Sequence, residues 1–545
     1  MYFEYVINDQ PNNGLSNGRI IEGGWQGNST GSSYADLLTG RVTRYDEQNF
    51  NNLHNEAYKA LEFYAQDSWK ATRRLTIEYG LRASHLGNWY DRQGNGFAVW
   101  DPSTYSSTGS ASAYDGFTWH KRNSSIPLGG FPNKALLFAP RIGLAYDLFG
   151  SGKTVLRGGW GELFYHNAQF TTGLDAPAGV QTQFFQNVTL SQIDQTNPAN
   201  GAIGTGGVTK GDTSVPKTYS YSFSVSQRAP GSALLELSYV GNQSSNLLDD
   251  GGVGSKYVNA VPYGTFLNSA TDPNNIASSD YDAKRPFPLY QDLQIVNHRL
   301  YQNYNAFQAS LVRTKGRYDY SLNYTFGKSL GVVGGDQLNL NKDYGPLGSD
   351  RRHIFNAAYS IELGSPFRSN MLAKGLVNGW QLSGITQWQS GINLTANTGN
   401  NFNLNTNSYT TAAGYNVSSR TINGTDSVPL QPLLTCNPGS GLGKNQYVNG
   451  NCFAIPTTPG QNGGIVLPEV FGPAFFNSDL SLFKNFVFSE SKKLQFRFST
   501  YNFLNHPLPT FRGGSSNLNL SFDGKTGKLN NPNFGVITEK QGHRI

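Results

Sequence analysis

Gly150-Ser151-Gly152-Lys153-Thr154 has the residue types that cradle a phosphate. Such a loop needs another glycine about five positions before Gly152 and a helix after the lysine, so that backbone N–H groups converge on the anion. Asp147 stands where that glycine is required, and "VLRGGWGELFY" follows with the pattern of a strand. These residues read as a hairpin turn. Gly14-Leu15-Ser16-Asn17-Gly18 has the spacing of a nucleophile elbow around Ser16. That elbow is a strand-to-helix turn, whereas Asn12, Asn13 and the glycines around them indicate a loop. The 8 histidines include no pair at helical metal-ligand spacing, and there is no Cys-x-x-Cys. His353 and His506 read as strand-end or loop residues, and Asp249, Asp250 and Asp272 as solvated loop acids. No catalytic constellation, cofactor site or metal site emerges, and the chain does not read as an enzyme.

Composition limits what could position any such residues. With 545 residues the chain is too long for one ordinary core. Charged residues are 14%, well under the usual quarter, yet mean hydropathy is negative. Asn, Ser, Thr, Gln and Gly carry the polarity instead. The 30 Tyr, 33 Phe and 63 Gly suit many strands and large loops, and count against a helical protein or a cytosolic α/β enzyme. The net charge of +6 is spread without a dense run, so no nucleic-acid face is expected. No window approaches the roughly 18 consecutive apolar residues of a membrane helix. "MYFEYVINDQ" lacks the basic-then-apolar pattern of a leader, so either the chain stays in the cytoplasm or its true beginning lies upstream. Cys436 and Cys452 share one Gly- and Asn-rich stretch. In an exported protein they would pair and pin it, the alternative being two free thiols.

The strongest local signal has a period of two. In "TYSYSFSVSQR" Tyr219, Tyr221, Phe223 and Val225 alternate with Ser220, Ser222, Ser224 and Ser226. Successive side chains of a strand leave opposite faces, so one face is apolar and the other is a row of hydroxyls. The pattern recurs in "RLTIEYGLRAS", where Glu78 and Arg82 oppose Leu75, Ile77, Tyr79 and Leu81. It recurs in "PRIGLAYDLF", in "RYDYSLNYTFGKS" and in "KLQFRFSTYNF", where Arg497 opposes Phe496 and Phe498. By the same alternation Glu78, Glu162 and Glu362 project toward the polar face.

Connection lengths point to what lies against each face. Short links at 70–74, 150–153, 229–232, 314–317 and 489–492 have hairpin compositions. Long polar stretches near 88–136, 166–216, 242–300, 395–475 and 505–533 separate the pairs. A sandwich has no reason to sort its loops this way. An outer-membrane barrel has short periplasmic turns, long extracellular loops, an apolar outer band and a polar interior. The expected fold is therefore all-β: an antiparallel up-and-down transmembrane β-barrel of about 13 to 15 visible strands. Tyr219, Tyr221, Phe223 and Val225 are expected to face lipid. Ser220, Ser222, Ser224, Glu78, Arg82 and Arg497 are expected to face the lumen. Trp69, Trp160, Trp380 and Trp388, near strand ends, suit aromatic girdles.

Several segments resemble the barrel of TonB-dependent outer-membrane receptors, in particular the Oar-like branch in which a carboxypeptidase-regulatory-like domain precedes a plug. The most specific are Tyr-Ala-Gln-Asp-x-Trp at 64–69, Asp-Arg-Arg-His at 350–353 and Asn-Phe-Leu-Asn-His-Pro at 502–507. The resemblance runs from about residue 35 to the end, leaving 1–34 as a leading segment. It implies a barrel of about 22 strands, closed by an N-terminal plug that couples to TonB, ExbB and ExbD. The sequence departs from that pattern in lacking a leader, a TonB box, a plug and an aromatic-ended last strand. The expectation is a C-terminal fragment of a receptor.

The function implied is uptake of a bulky nutrient, oligosaccharide-like or a chelate, through extracellular loops and lumen. Ligand contacts are expected within 166–216, 242–300 and 395–475. The alternative is an Oar-like surface adhesion or structural protein on the same barrel, without active transport. The expected partners are outer-membrane lipid, the TonB system and a small-molecule or oligosaccharide ligand, at the bacterial outer membrane.

Overall fold

The computed structural model describes residues 1–12, 19–21, 29–48, 52–167, 182–193, 205–249, 256–267, 283–290, 293–332, 340–367, 369–394, 408–424, 430–463, 470–489, 492–511 and 516–540. Long alternating segments form one continuous wall. Its strands are β1 (Tyr2–Asn12), β2 (Asn52–Lys70), β3 (Leu75–Leu86), β4 (Leu137–Asp147), β5 (Thr154–Phe164), β6 (Lys217–Ala229) and β7 (Ala233–Asp249). They continue as β8 (Leu293–Arg313), β9 (Tyr318–Val332), β10 (His353–Gly364), β11 (Trp380–Gln389), β12 (Phe475–Ser489) and β13 (Lys492–Thr500). Each pairs antiparallel with the next in sequence. Among the described residues no ladder joins β1 to β13, so the wall is a partial, open barrel.

Connections alternate strictly in length. The links 71–74, 148–153, 230–232 and 314–317 close hairpins at one end, and 365–379 is the longest at that end. The links 87–136, 165–216, 250–292, 333–352 and 390–474 lie at the other. The 242–300 stretch is shorter as a loop than its sequence suggests, because β7 and β8 run on past the wall and pair as far as Asp249 and Asn297. Within the leading segment 1–34, residues 2–12 differ from expectation. Phe3, Tyr5 and Ile7 alternate with Glu4, Val6 and Asn8, and this stretch is the wall strand β1, paired to β2.

Cross-strand partners share a face of the sheet. Ile77, Leu144, Gly158, Phe223, Tyr239, Phe307 and Phe326 follow one another across seven strands on one face. Thr76, Ala145, Arg157, Ser224, Ser238, Gln308 and Thr325 do so on the other. Among the described residues no second layer covers the apolar face: Phe223 is 50% exposed, and Tyr239, Phe307 and Phe326 are similar. Trp69, Trp160, Trp380 and Trp388 all lie on it, the first and third toward the short turns and the others toward the long loops. Trp380 and Trp388 are eight residues apart on β11, roughly 26 Å along a strand. At barrel tilt that approaches the ~25 Å height of an apolar band.

Glu162 departs from its expected place. It pairs with Tyr219 on the apolar face, and its carboxylate accepts from Lys217 Nζ at 3.2 Å. The position lies near the long-loop end of β5, where this ion pair offsets the charge. Gly241 shows how tightly the apolar face is filled. The Tyr221 ring lies across it, so that a Cβ at Gly241 would meet that ring at 2.4 Å.

These faces predict opposite responses to the same charge. Phe223→Arg should cost about 2–4 kcal/mol at mid-wall and deplete assembled barrel in outer-membrane fractions, measured by urea unfolding in lipid. Ser222→Arg, one residue away, should leave assembly within about 1 kcal/mol. Equal effects would contradict the assignment of faces.

Candidate functional site

The polar face of the wall carries charge in short networks. Arg82 on β3 pairs with Glu62 on β2, whose carboxylate is largely buried. Glu78 lies on the same face, in register with Gly143. Arg157 Nη1 donates to Ser226 Oγ at 2.6 Å, and Ser226 Oγ donates to Glu236 Oε2 at 2.6 Å. The Arg497 guanidinium lies 4.7 Å from the centre of the Phe483 ring on the neighbouring strand. Ser220, Ser222 and Ser224 oppose Gly161, Gly159 and Arg157 of β5.

Two concavities indent this face. One, of about 510 Å³, is lined by Arg82, Arg141, Gly159, Gly161, Ser220 and Ser222 among others. Missing side chains at the two glycines hollow the wall, and two guanidiniums favour an anionic or hydroxyl-rich guest. The other, also about 510 Å³, includes Asp319, Ser321, Ser360, Ser383, Asp479 and Ser481. Its carboxylates and hydroxyls suit a polyhydroxylated or cationic one.

The long loops fold into a cap with cores of its own. Trp89, Phe97, Val99, Ile126, Phe131, Val208 and Val296 pack together and rest on Val6 and Tyr58 of the polar face. Tyr58 meets Trp89 edge-on at 4.7 Å and His166 at 4.0 Å. Burial pushes the His166 pKa down. A second cluster surrounds Trp100, which contacts Phe117, Phe287 and Tyr290. Burial also pushes the Tyr290 hydroxyl pKa up, and that hydroxyl donates to Asp115 O at 2.7 Å. A third cluster joins 390–474 to 516–540 through Val417, Val448, Phe453, Leu520 and Phe534. In this lobe Cys436 and Cys452 are joined by a disulfide.

Asp212 ties the cap to β8. Its carboxylate accepts from His298 N at 3.0 Å and Ser214 N at 3.0 Å, and pairs with His298 Nδ1 at 2.8 Å. Burial alone would raise the Asp212 pKa; these hydrogen bonds outweigh it and hold the carboxyl well below the usual range. Nearby, Asp101 pairs with Lys210 at 2.5 Å. Burial opposes ionisation of Asp101, but the bonds from Lys210 and Ser103 prevail and lower its pKa.

Other candidates have plain structural roles. In the 150–154 turn the Asp147 carboxylate accepts from Gly150 N at 3.0 Å and Gly152 N at 2.8 Å. The His353 ring sits on the apolar face with Tyr324, Phe326 and Trp388. His506 follows β13, its N–H donating to Asn502 Oδ1 at 2.9 Å. Asp249 ends β7. Glu362 lies on the polar face opposite Gln381. Ser16, Asp250 and Asp272 lie outside the described residues, as do parts of the loops 166–216, 242–300 and 395–475. Sequence reading missed the Asp212–His298 junction because its partners lie far apart in the chain. Glu236 was within reach of the alternation in "ALLELSYV".

A wall apolar outside, polar within and capped at one end is the architecture of a membrane-spanning β-barrel. The chain belongs to the outer-membrane β-barrel domain family, which it matches over residues 2–545. That membership makes it a protein of the bacterial outer membrane. No curated protein matches it. Among solved structures it is similar to the closed form of the ferric-catecholate import receptor Fiu from Escherichia coli K12, at 8% identity and TM-score 0.36, covering 90% of this chain and 48% of that one. It is similar to the alcaligin outer-membrane receptor FauA from Bordetella pertussis, at 8% and 0.34, covering 84% and 50%. It is also similar to Pseudomonas aeruginosa FpvA bound to heterologous pyoverdines, at 10% and 0.34, covering 97% and 52%. The chain spans about half the length of these structures.

Two outcomes follow for the cap. Cys452→Ser releases a loop with ends 16 residues apart, a local loss of about 3 kcal/mol; protease nicking within 430–463 on intact cells should rise more than tenfold. A carboxyl whose pKa is depressed on folding adds stability that is full above its unfolded value of about 4 and is lost progressively as pH falls from there through the folded value. The Asp212 junction should therefore hold from neutral pH to below about 4. Asp212→Asn should weaken it at pH 7 by about 1–3 kcal/mol, seen as faster hydrogen exchange at the His298 amide.

Proposed function

We propose that the chain is the barrel portion of a TonB-dependent uptake receptor for a bulky hydrophilic solute. The observation that carries this reading is the two-faced wall: an apolar exterior around a lumen lined by serines, arginines and carboxylates, with every long loop at one end. Tyr219, Tyr221, Phe223 and Val225 meet lipid. Ser220, Ser222, Ser224, Glu78, Arg82 and Arg497 line the path. The loops 166–216, 242–300 and 395–475 receive the solute, and energy comes from TonB, ExbB and ExbD through a plug in the whole protein. The hydroxyl-rich concavities favour an oligosaccharide-like ligand, whereas the Arg82–Arg141 recess also accommodates an anionic chelate. The densely cored cap supports a second reading, an Oar-like adhesive or structural surface protein.

Full-length protein in its native outer membrane, with or without residues 395–475, distinguishes these readings. For an uptake receptor, solute accumulation should fall at least tenfold without TonB, and binding should fall similarly without the loop. Neutral oligosaccharide binding should barely change with salt, whereas chelate binding should weaken as salt screens the arginines. Cell attachment that is lost with the loop, beside TonB-independent solute levels, would favour adhesion.

A further inference from the structure

Among the links between the described strands, the short-turn end is trimmed in all but one. Between β10 and β11 the chain carries a helix, Met371–Val377, within 365–379. This excursion is held in place by specific bonds. At its start Asn370 Oδ1 accepts from Ala373 N at 3.0 Å. The buried Asn378 closes it on Phe367, Oδ1 accepting from Phe367 N at 3.1 Å and Nδ2 donating to Phe367 O at 2.5 Å. Trp380 Nε1 donates to Leu376 O at 2.7 Å. Lys484 Nζ donates to Asn378 O and lies 5.1 Å from the centre of the Trp380 ring. Trp380 and Lys484 are cross-strand partners two residues from Leu382 and Leu482, so both belong to the apolar face. The helix is thereby tied to the outer side of the wall, at the end of its apolar band.

What it presents is greasy. Leu372 is 78% exposed and Leu376 71%, one helical turn apart on the same side. Leu363, Phe367 and Val377 are exposed beside them. A helix this short has no stability of its own in water, and its described contacts with the wall leave these leucines uncovered. Cations flank it: Lys374 lies within the helix, the Arg317 guanidinium of the neighbouring turn lies against Gly364, and Lys484 reaches Asn378 O. An apolar ridge continuous with the membrane-facing wall and flanked by cations matches the boundary between acyl chains and anionic headgroups.

We propose that Met371–Val377 is an in-plane anchor in the leaflet at the short-turn end, with Leu372 and Leu376 among the acyl chains and Lys374 at anionic phospholipid headgroups. The inference rests on the lipid-facing reading of the wall, and the test separates the two. Full-length protein is labelled with an environment-sensitive fluorophore at Leu372→Cys, the native cysteines being joined to each other. It is reconstituted in phosphatidylethanolamine vesicles with or without phosphatidylglycerol. The label should emit as in an apolar medium and be quenched several-fold more by spin-labelled lipid, with the spin label near the headgroup, than by aqueous iodide. Phosphatidylglycerol should deepen that quenching, and Lys374→Gln should abolish the increase. Quenching chiefly by iodide overturns the anchor, and indifference to phosphatidylglycerol overturns its headgroup contact. A control label at Phe223→Cys, read with lipid spin-labelled at mid-chain because Phe223 lies at mid-wall, identifies the failing step: if that lipid quenches Phe223→Cys but headgroup-labelled lipid does not quench Leu372→Cys, the anchor is wrong and the wall stands. If lipid quenches neither, the wall reading itself is wrong.

Discussion

A peptide group in hydrocarbon has no water to bond, and each unpaired N–H or C=O there is costly. The wall obeys this constraint strand by strand. β6 and β7 keep register without a break from Lys217 and Ser245 to Ala229 and Ala233. Where wall ladders slip, they slip near strand ends. The shifts fall after Ser244 on the long-loop side, and after Glu362 and Val487 by the short turns. Water or headgroups can satisfy displaced groups in those places. Irregularity is thus excluded from the band that the tryptophans bracket.

The same solvent inverts the usual distribution of hydrophobic residues. On the proposed lipid-facing reading, a wall bathed in acyl chains gains little from sequestering its aromatics, so Phe223, Tyr239 and Phe307 can stand outward without a covering layer. Packing acts laterally instead: Tyr221 lies over Gly241, and its hydroxyl reaches Asn305 at 2.7 Å. Ordinary hydrophobic cores return where water returns, in the cap. There Phe97, Val208 and Leu293 are wholly buried, as the hydrophobic effect requires of large loops in an aqueous medium.

This division explains which parts were legible in the sequence. A period of two survives without alignment because alternate residues of a strand share a face, so the apolar and polar faces around Tyr219 and Ser220 could be read from residue type. Glu162 misled the alternation because at a strand end the local partner, Lys217, outweighs the solvent. β1 was overlooked because its charged Glu4 and the polar run after Ile7 dilute the pattern. The cap was opaque for another reason. Its contacts join residues far apart in the chain, such as Asp212 with His298 or Trp100 with Tyr290, and no periodicity marks such partners. The concavities were hidden likewise, since Arg82, Gly159 and Ser220 come from three strands and only register brings them together.

The cap itself divides along its energetics. One lobe, around Phe97 and Trp100, is wedged onto the lumen-facing Tyr58 and tied to β8 through Asp212. The other, around Val417 and Leu520, carries the disulfide. Between them run bonds to main-chain carbonyls and a smaller apolar contact, in which the buried Val261 and Phe266 lie against Gly424. Val261 N donates to Asn423 O at 2.7 Å, Tyr263 Oη donates to Gly460 O at 3.0 Å, and the Tyr415 hydroxyl donates to Phe266 O. Such bonds are each worth about 1 kcal/mol net and can be exchanged for water. Opening either lobe would expose an apolar core with no comparable replacement. Separation along their boundary would uncover Val261 and Phe266 but leave both larger cores closed, so it is the less costly motion, and local stability of this kind determines which part of a structure moves first.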